Sequence, residues 1–176
     1  LNSIKALVKA DIDFISTYNL MLLDGSELKT EASRAAFGLN THFRVLPRDF
    51  GKLSNGAVAV EVEEIVTSTN SMSFEEYVQI RIFHLIVNII YNSGLFQPLF
   101  KYLRFTDCSS FGLLELAYCE YPNAPENVKR VIEVFEKETR DELWQSESEC
   151  REFMKKPKNY ERLLCGELGA NLLQTY

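Results

Sequence analysis

"DFISTYNLMLLDGSEL", residues 13–28, sets an apolar run of strand length directly before Asp24-Gly25-Ser26. A helix from about Ser26 to Phe37, closed by Gly38, follows it. A strand feeding a glycine-containing turn and then a helix is the βα unit of an α/β barrel or doubly wound sheet, where ligands sit beyond the carboxyl ends of the strands. At such a turn Gly25 lets the backbone double back and approach a ligand with no Cβ in the way. The same turn also has a purely structural reading, so the surrounding residues must decide between the two.

Upstream, "LNSIKALVKA" (1–10) reads as the helix that precedes a strand, and the chain opens inside it at Leu1. The expectation is the downstream end of something larger. The 176 residues are enough for one domain, or for a piece of one plus an appended subdomain. A chain of this length buries roughly 70% of its unfolded surface, which supports a real core.

Downstream, "THFRVLP" and "AVAVEVEEIVTST" are two extended stretches separated by "RDFGKLSNG", in which Asn55-Gly56 is a strong turn signal. In the second stretch Val58, Val60 and Val62 share one face and Ala59, Glu61 and Glu63 the other, a period of two. That pattern predicts a half-exposed antiparallel pair. After residue 70 the chain turns helical. "NSMSFEEYV" carries a capping box in which Ser73 accepts from the amide three residues on and Glu76 reaches back. The helix so started presents Tyr77, Ile80, Phe83, Leu85, Ile86, Ile89 and Ile90, a stripe wide enough for the centre of a bundle. Asn92-Ser93-Gly94 breaks it and a shorter amphipathic helix follows. Further helices are predicted at about 109–120, 125–145 and 157–174, with Asn123 as a cap and Pro125 in the first turn of the middle one. The predicted fold class is therefore α+β: a mostly helical C-terminal bundle over 71–176, preceded over 1–70 by the last βα unit of a partial, TIM-like barrel and an antiparallel hairpin.

Composition removes several functions. With 19 basic and 25 acidic side chains the net charge is -6, which repels a phosphate backbone and argues against a general nucleic-acid binder. No apolar run approaches the ~20 residues of a membrane span and there is no signal peptide, so the expected location is the cytoplasm. Cys108, Cys119, Cys150 and Cys165 lack any zinc or cluster spacing and read as four separate thiols, mostly buried. No metal site is expected within the chain. No nucleophile elbow or phosphate loop is present, and there are only two histidines, so an enzyme complete within this chain is the weakest reading.

Four phrases in order, "YNLMLLDGSEL" (18–28), "SRAAFGLNTHFRVLPRDFG" (33–51), "VEVEEIVTSTNSMSFEEY" (60–77) and "RIFHLIVNIIYNSGLFQPLFKYLR" (81–104), resemble the C-terminal part of radical S-adenosylmethionine enzymes that carry an upstream cobalamin-binding domain. The resemblance spans about residues 1–104 and is one of word order, not of a catalytic motif. It implies a partial barrel of six strands with residues 12–22 on the last. "DGSEL" is similar to the Pro-Gly-Thr phrase that follows that strand, with Asp24 in place of the proline and Ser26 of the threonine. Because this strand ends near the adenosine of the cofactor in such enzymes, the resemblance makes Tyr18, Asn19, Met21, Leu22 and Gly25 candidates for the cofactor or substrate wall. Strand register decides which of them points inward.

The departures matter as much. The family's CxxxCxxC, which holds an iron-sulfur cluster, is not in this sequence, nor are the glycine-rich amino-group site and the cobalamin module. The resemblance therefore implies a fragment that binds none of these cofactors alone. Iron-sulfur cluster, S-adenosylmethionine and, where used, cobalamin would belong to the longer protein, and the partners would be its upstream part and a small-molecule substrate. The alternative reading is a stand-alone binding or scaffolding module whose helical half docks a partner.

Among other polar residues, Arg44, Arg48 and Asp49 flank Pro47, where a guanidinium can clamp a substrate carboxylate or phosphate, or an Arg-Asp pair can secure a loop. Glu61, Glu63 and Glu64 read as a solvated strand face, with Glu63 the candidate for a substrate hydroxyl contact. His84, in the most apolar helix, reads as a core histidine. The cluster Arg151, Lys155, Lys156, Lys158 and Arg162 follows an acidic run from Glu133 to Glu149 and reads as neutralising it.

Overall fold

Two strands and a set of helices form the protein in a computed structural model that describes residues 1–173. The strands β1 (Asn40–Lys52) and β2 (Val58–Ser68) pair antiparallel. Their connection turns at Asn55-Gly56, where the Asn55 side chain accepts from the Ala57 amide at 3.0 Å. The ladder runs from Asn40↔Ser68 to Val45↔Val62 and resumes at Phe50↔Val60. Between these pairs Leu46–Asp49 bulge out, at the point where Pro47 has no amide to donate. The extended stretch expected to stop at Pro47 thus continues through the bulge to Lys52.

The chain divides into two compact units. One comprises residues 1–18 and 79–134, the other residues 19–78 and the chain from Phe135 onward. The residues after 70 are therefore shared between two units, where composition had predicted a single helical cap.

In the first unit, α1 (Asn2–Lys9), the second half of α3 (Phe74–Ile86), α4 (Gln97–Phe105) and α5 (Ser110–Glu120) enclose a core of Ile4, Val8, Ile15, Phe83, Val87, Tyr91, Phe100, Phe111 and Leu114. The capping box forms: the Ser73 amide donates to Glu76 Oε2 at 2.7 Å, and the Glu76 amide to Ser73 Oγ at 3.2 Å. The helix expected to run to Tyr91 instead widens after Ile86 into a π-helical turn, Val87–Asn92. Residue Asn92, at its end, binds both the amide and the carbonyl of Ile15, at 3.0 and 2.9 Å. Tyr91 donates to the Ile12 carbonyl at 2.7 Å. These side chains occupy backbone groups that a neighbouring strand would otherwise take. That is why the segment expected as a strand over residues 12–22 is extended but forms no ladder, only a single bridge, Met21↔Ile65.

In the second unit α2 (Glu31–Phe37) is shorter than predicted because Glu27–Lys29 is a 3-10 turn and Thr30 is the cap, accepting from the Ser33 amide. Gly38 closes it at φ +59, where a Cβ would stand 2.0 Å from Asn70 Oδ1. The start of α6 (Glu126–Asp141) belongs to the first unit and follows Pro125, whose carbonyl accepts from Val128 and Lys129. Asn123 instead ends a 3-10 turn and donates to Glu120, so it is not the cap that its residue type predicts. A helix not anticipated, α7 (Glu147–Lys155), is capped by Ser146 and packs Cys150, Met154 and Phe153 with Val45, Val60 and Val62. The predicted 157–174 helix is two: α8 (Pro157–Leu164) and α9 (Ala170–Leu173), parted by Gly166 and Gly169 at positive φ.

Candidate functional site

Of the sequence candidates, Asn19, Met21 and Leu22 lie on the segment bonded to the β2 edge of the hairpin, and Arg44, paired with Glu63, meets Asn19 there. The Leu22 amide donates to the Glu64 carbonyl and the Val66 amide to the Leu20 carbonyl, both at 2.9 Å. Two bonds flanking the Met21–Ile65 pair orient Met21's own amide and carbonyl toward the opposite, outer edge. Leu22 is buried at 3% exposure, whereas Tyr18 at 81%, Leu20, Met21 and Leu23 are exposed. Among the named candidates Leu22 is thus a core residue of this chain and cannot face a ligand. Gly25 has φ +78 and open space where a Cβ would stand, so its backbone angle requires glycine while no close approach does.

Two ionic clusters fasten this edge. Arg44 and Glu63 are cross-strand partners whose Nε and Oε1 atoms are in contact, with side chains 11% and 8% exposed. The Asn19 carboxamide, with its oxygen turned to the guanidinium, accepts from Arg44 Nη2 at 3.1 Å and Nη1 at 2.5 Å. Beside it, Glu64 accepts from Arg34 Nη2 and Thr41 Oγ1, both at 2.7 Å, with Lys29 Nζ at 3.5 Å. Burial raises the Glu64 pKa, but the bonds from Thr41 and Arg34 and the charges of Arg34 and Lys29 outweigh it and hold the carboxyl below its usual range. Lys29 also pairs with Asp24 at 2.7 Å across the glycine turn.

The face expected to be solvated is therefore split: Glu61 is exposed, and Glu63 and Glu64 are each 8% exposed and ion-paired. Strand alternation alone cannot reveal this, because β2 is covered on both faces from Glu63 to Thr67. Arg44 is committed to Glu63 and Asn19, so its fork is not open to a substrate. Arg48 and Asp49 lie exposed on the bulge. Of the two candidate clamps, only Arg48 is accessible.

A second polar centre lies in the same unit. A cavity of about 10 Å³, room for about one water, is lined by Arg44, Tyr77, Thr139, Glu142, Trp144 and Asn171 among others. Glu142 Oε2 accepts from the Gly169 amide at 3.0 Å and from Asn171 Nδ2 at 2.6 Å. Burial pushes the Glu142 carboxyl up to about 7 against these bonds, Glu138 adding to the rise and Arg162 opposing it. Its folded-state pKa lies above the ordinary 4.5, so the folded state holds a proton that the unfolded chain has released between those values. The stability due to Glu142 is present below about pH 4.5 and is lost as pH rises to about 7, at most about 3 kcal/mol. Urea midpoints at pH 5 and pH 8 should differ more in the parent than in Glu142→Gln. An equal difference would show that Glu142 does not titrate there.

Other groups take structural places. His84 is held at about 4 by burial and by the charge of Arg81, which keeps its imidazole neutral at physiological pH. His42 lies between Thr67 Oγ1 at 2.7 Å and Gln145 Nε2 at 3.0 Å. Only Cys150 is a buried thiol, pushed up to about 12 by burial; Cys108, Cys119 and Cys165 are exposed, contrary to the expectation of mostly buried thiols. Arg151 pairs with Glu147 at 2.7 Å, Lys155 with Glu152, and Arg162 lies 3.6 Å from Glu167, so these cations are neutralised close by. Among the described residues no three His, Cys, Asp or Glu side chains converge to hold a metal ion, and no helix is long and apolar enough to cross a membrane.

Arg34, Thr41, Lys29 and Glu142 were not singled out by sequence. No family model matches the chain, and no curated protein matches it. The fold and site together define a mixed α+β protein with an ion-fastened hairpin edge.

Proposed function

We propose that this chain is the C-terminal part of a cytoplasmic radical S-adenosylmethionine enzyme with a cobalamin-binding domain, in which it supplies the closing edge of a partial barrel and a helical cover for the substrate pocket. The observation that supports this reading is the edge at Tyr18–Leu23. Its inner side is bonded to β2, its outer side carries Met21's backbone amide and carbonyl, and it exposes Tyr18, Leu20, Met21 and Leu23. An apolar edge with outward backbone groups is a template for a further strand. In this reading the upstream part of the polypeptide supplies that strand, and Tyr18, Asn19 and Met21 stand beside the cofactor or substrate.

The residues present do not fit the cluster or cobalamin: the cysteines lie far apart in sequence, and no ligand group gathers among the described residues. Those groups belong to the upstream part, and no chemical step is assigned to this chain. Its work is positional. Arg44 and Glu63 hold Asn19, and Arg34 and Glu64 hold the turn that follows.

The test is anaerobic reconstitution with iron and sulfide, read by absorbance and electron paramagnetic resonance. The longer polypeptide should take up a cluster and cleave S-adenosylmethionine, and Tyr18→Ala should weaken cofactor binding there. A stable cluster on these 176 residues alone would overturn the proposal, and so would upstream sequence without a CxxxCxxC.

A second reading, a binding module, is favoured by one feature. In the first unit an apolar groove of about 600 Å³ runs between Ile86, Ile89 and Ile90 and the facing Val128, Val131 and Ile132. That volume is in the range of ligand pockets. A cooperative, monomeric 176-residue chain that saturably binds an apolar fluorophore there would favour this reading.

A further inference from the structure

The apolar groove of about 600 Å³ in the first unit carries a single charged side chain on its wall, the carboxylate of Glu120. From that combination we propose a site for an amine with an apolar body and one protonated nitrogen. The inference rests on the binding-module reading and names the class of ligand that such a module takes.

Ile86 and Ile132 are buried at 4% exposure each, while Ile89 and Val128 are exposed at 43% and 44%. The groove thus has a buried apolar floor and an open rim. Room for a ligand exists because Ala117 of α5 and Ala124 before α6 present only a methyl group to it, where larger side chains would close the gap. One wall is also irregular. Ile89 and Ile90 stand on the π-helical turn Val87–Asn92, a departure from the α-helix that recurs at functional sites.

Charge then selects among apolar ligands. Glu120 is the last residue of α5, and the last turn of that helix holds no basic residue, so the carboxylate adds to the negative end of the helix instead of offsetting it. Asn123 Nδ2 donates to Glu120 at 2.9 Å, but no cation pairs with it among the described residues. The next acidic residue, Glu126, is already spent on Lys129 at 2.7 Å. No lysine, arginine or histidine lines the groove, so the carboxylate of a fatty acid would be desolvated without a partner and beside a like charge. An alcohol would gain the apolar burial and leave Glu120 without a counter-charge. A protonated amine gains the same burial and adds a charge-assisted hydrogen bond to Glu120.

The experiment titrates the 176-residue chain at pH 7 with octylamine, octanol and octanoate, following the methyl resonances of Ile89, Ile90 and Ile132. Saturable shifts are expected with octylamine, which should bind about threefold to fivefold more tightly than octanol, as one exposed ion pair at a helix end allows. Octanoate should bind most weakly. Glu120→Gln, an exposed change that leaves the core intact, should bring octylamine to the level of octanol and leave octanol unchanged. Ala117→Leu should weaken octylamine and octanol together by filling the groove. Octanol binding as tightly as octylamine, or a preference that survives Glu120→Gln, would overturn the amine while leaving the binding-module reading in place. Absence of saturable binding by all three probes would end both. Sedimentation as a dimer, with these methyl groups protected from every probe, would assign the groove to a second copy of the chain and overturn the site.

Discussion

Replacing Glu63 with alanine should cost about 3–5 kcal/mol, the range for breaking a buried ion pair by removing one partner. Both side chains are nearly out of solvent, and Arg44 would keep Asn19 as an acceptor of its Nη atoms while its Nε lost its anion. The charge left behind, not the lost attraction, dominates the effect. Replacing both residues, Arg44→Met with Glu63→Leu, should therefore recover most of the loss, because two apolar side chains of similar volume need no partner. Chemical denaturation of the four proteins of the cycle decides it. A loss below about 1 kcal/mol for Glu63→Ala would mean that water reaches the pair and screens it.

Phe100→Ala should be about as damaging, roughly 3–5 kcal/mol, for a different reason. Phe100 is fully buried and meets Tyr91 edge to face with ring centroids 5.1 Å apart. Tyr91 in turn holds the Ile12 carbonyl through its hydroxyl, so a cavity at Phe100 loosens the hydrogen bond that fixes the start of the extended segment. Phe105, five residues on and 88% exposed, is the control. Phe105→Ala should stay within about 0.5 kcal/mol of the parent. Thermal unfolding compares them, and hydrogen exchange at Asp13–Ile15 should quicken in Phe100→Ala alone.

Legibility in sequence followed the range of the interaction. The hairpin was readable because Asn55-Gly56 and the alternating valines are local signals. The capping box at Ser73 and Glu76 was readable because both bonds close within four residues. The charges of residues 147–155 mask the period of α7, although Ser146 caps it by accepting from the Glu149 amide while Glu149 accepts from the Gln145 amide, one residue earlier than a capping box would have it. The extent of α3 was misjudged because apolar periodicity continues smoothly through Val87–Asn92, where the backbone widens.

The site was less legible. Asn19, Arg44 and Glu63 were singled out separately, for reasons of family resemblance and residue type, and their meeting depends on the pairing of Arg44 with Glu63 across the ladder. A register fixed by a bulge at Leu46–Asp49 cannot be counted from either strand alone. The partners of Glu64, namely Arg34 and Thr41, lie 30 and 23 residues away, and nothing local points to them.

Sequence by itself determined what short-range chemistry controls: the turn at Asn55-Gly56, the helix start at Ser73, the glycine stop at Gly38 and an acidic chain with few histidines. Tertiary structure alone decided that residues 12–22 would be an extended edge and not a laddered strand. The backbone groups of Ile12 and Ile15 are satisfied by Tyr91 and Asn92 from nearly 80 residues away, at |i−j| of 79 and 77. A backbone amide or carbonyl bonds whichever partner the packed chain brings within about 3 Å, and a sequence records that a segment is apolar and extended without recording which partner arrives.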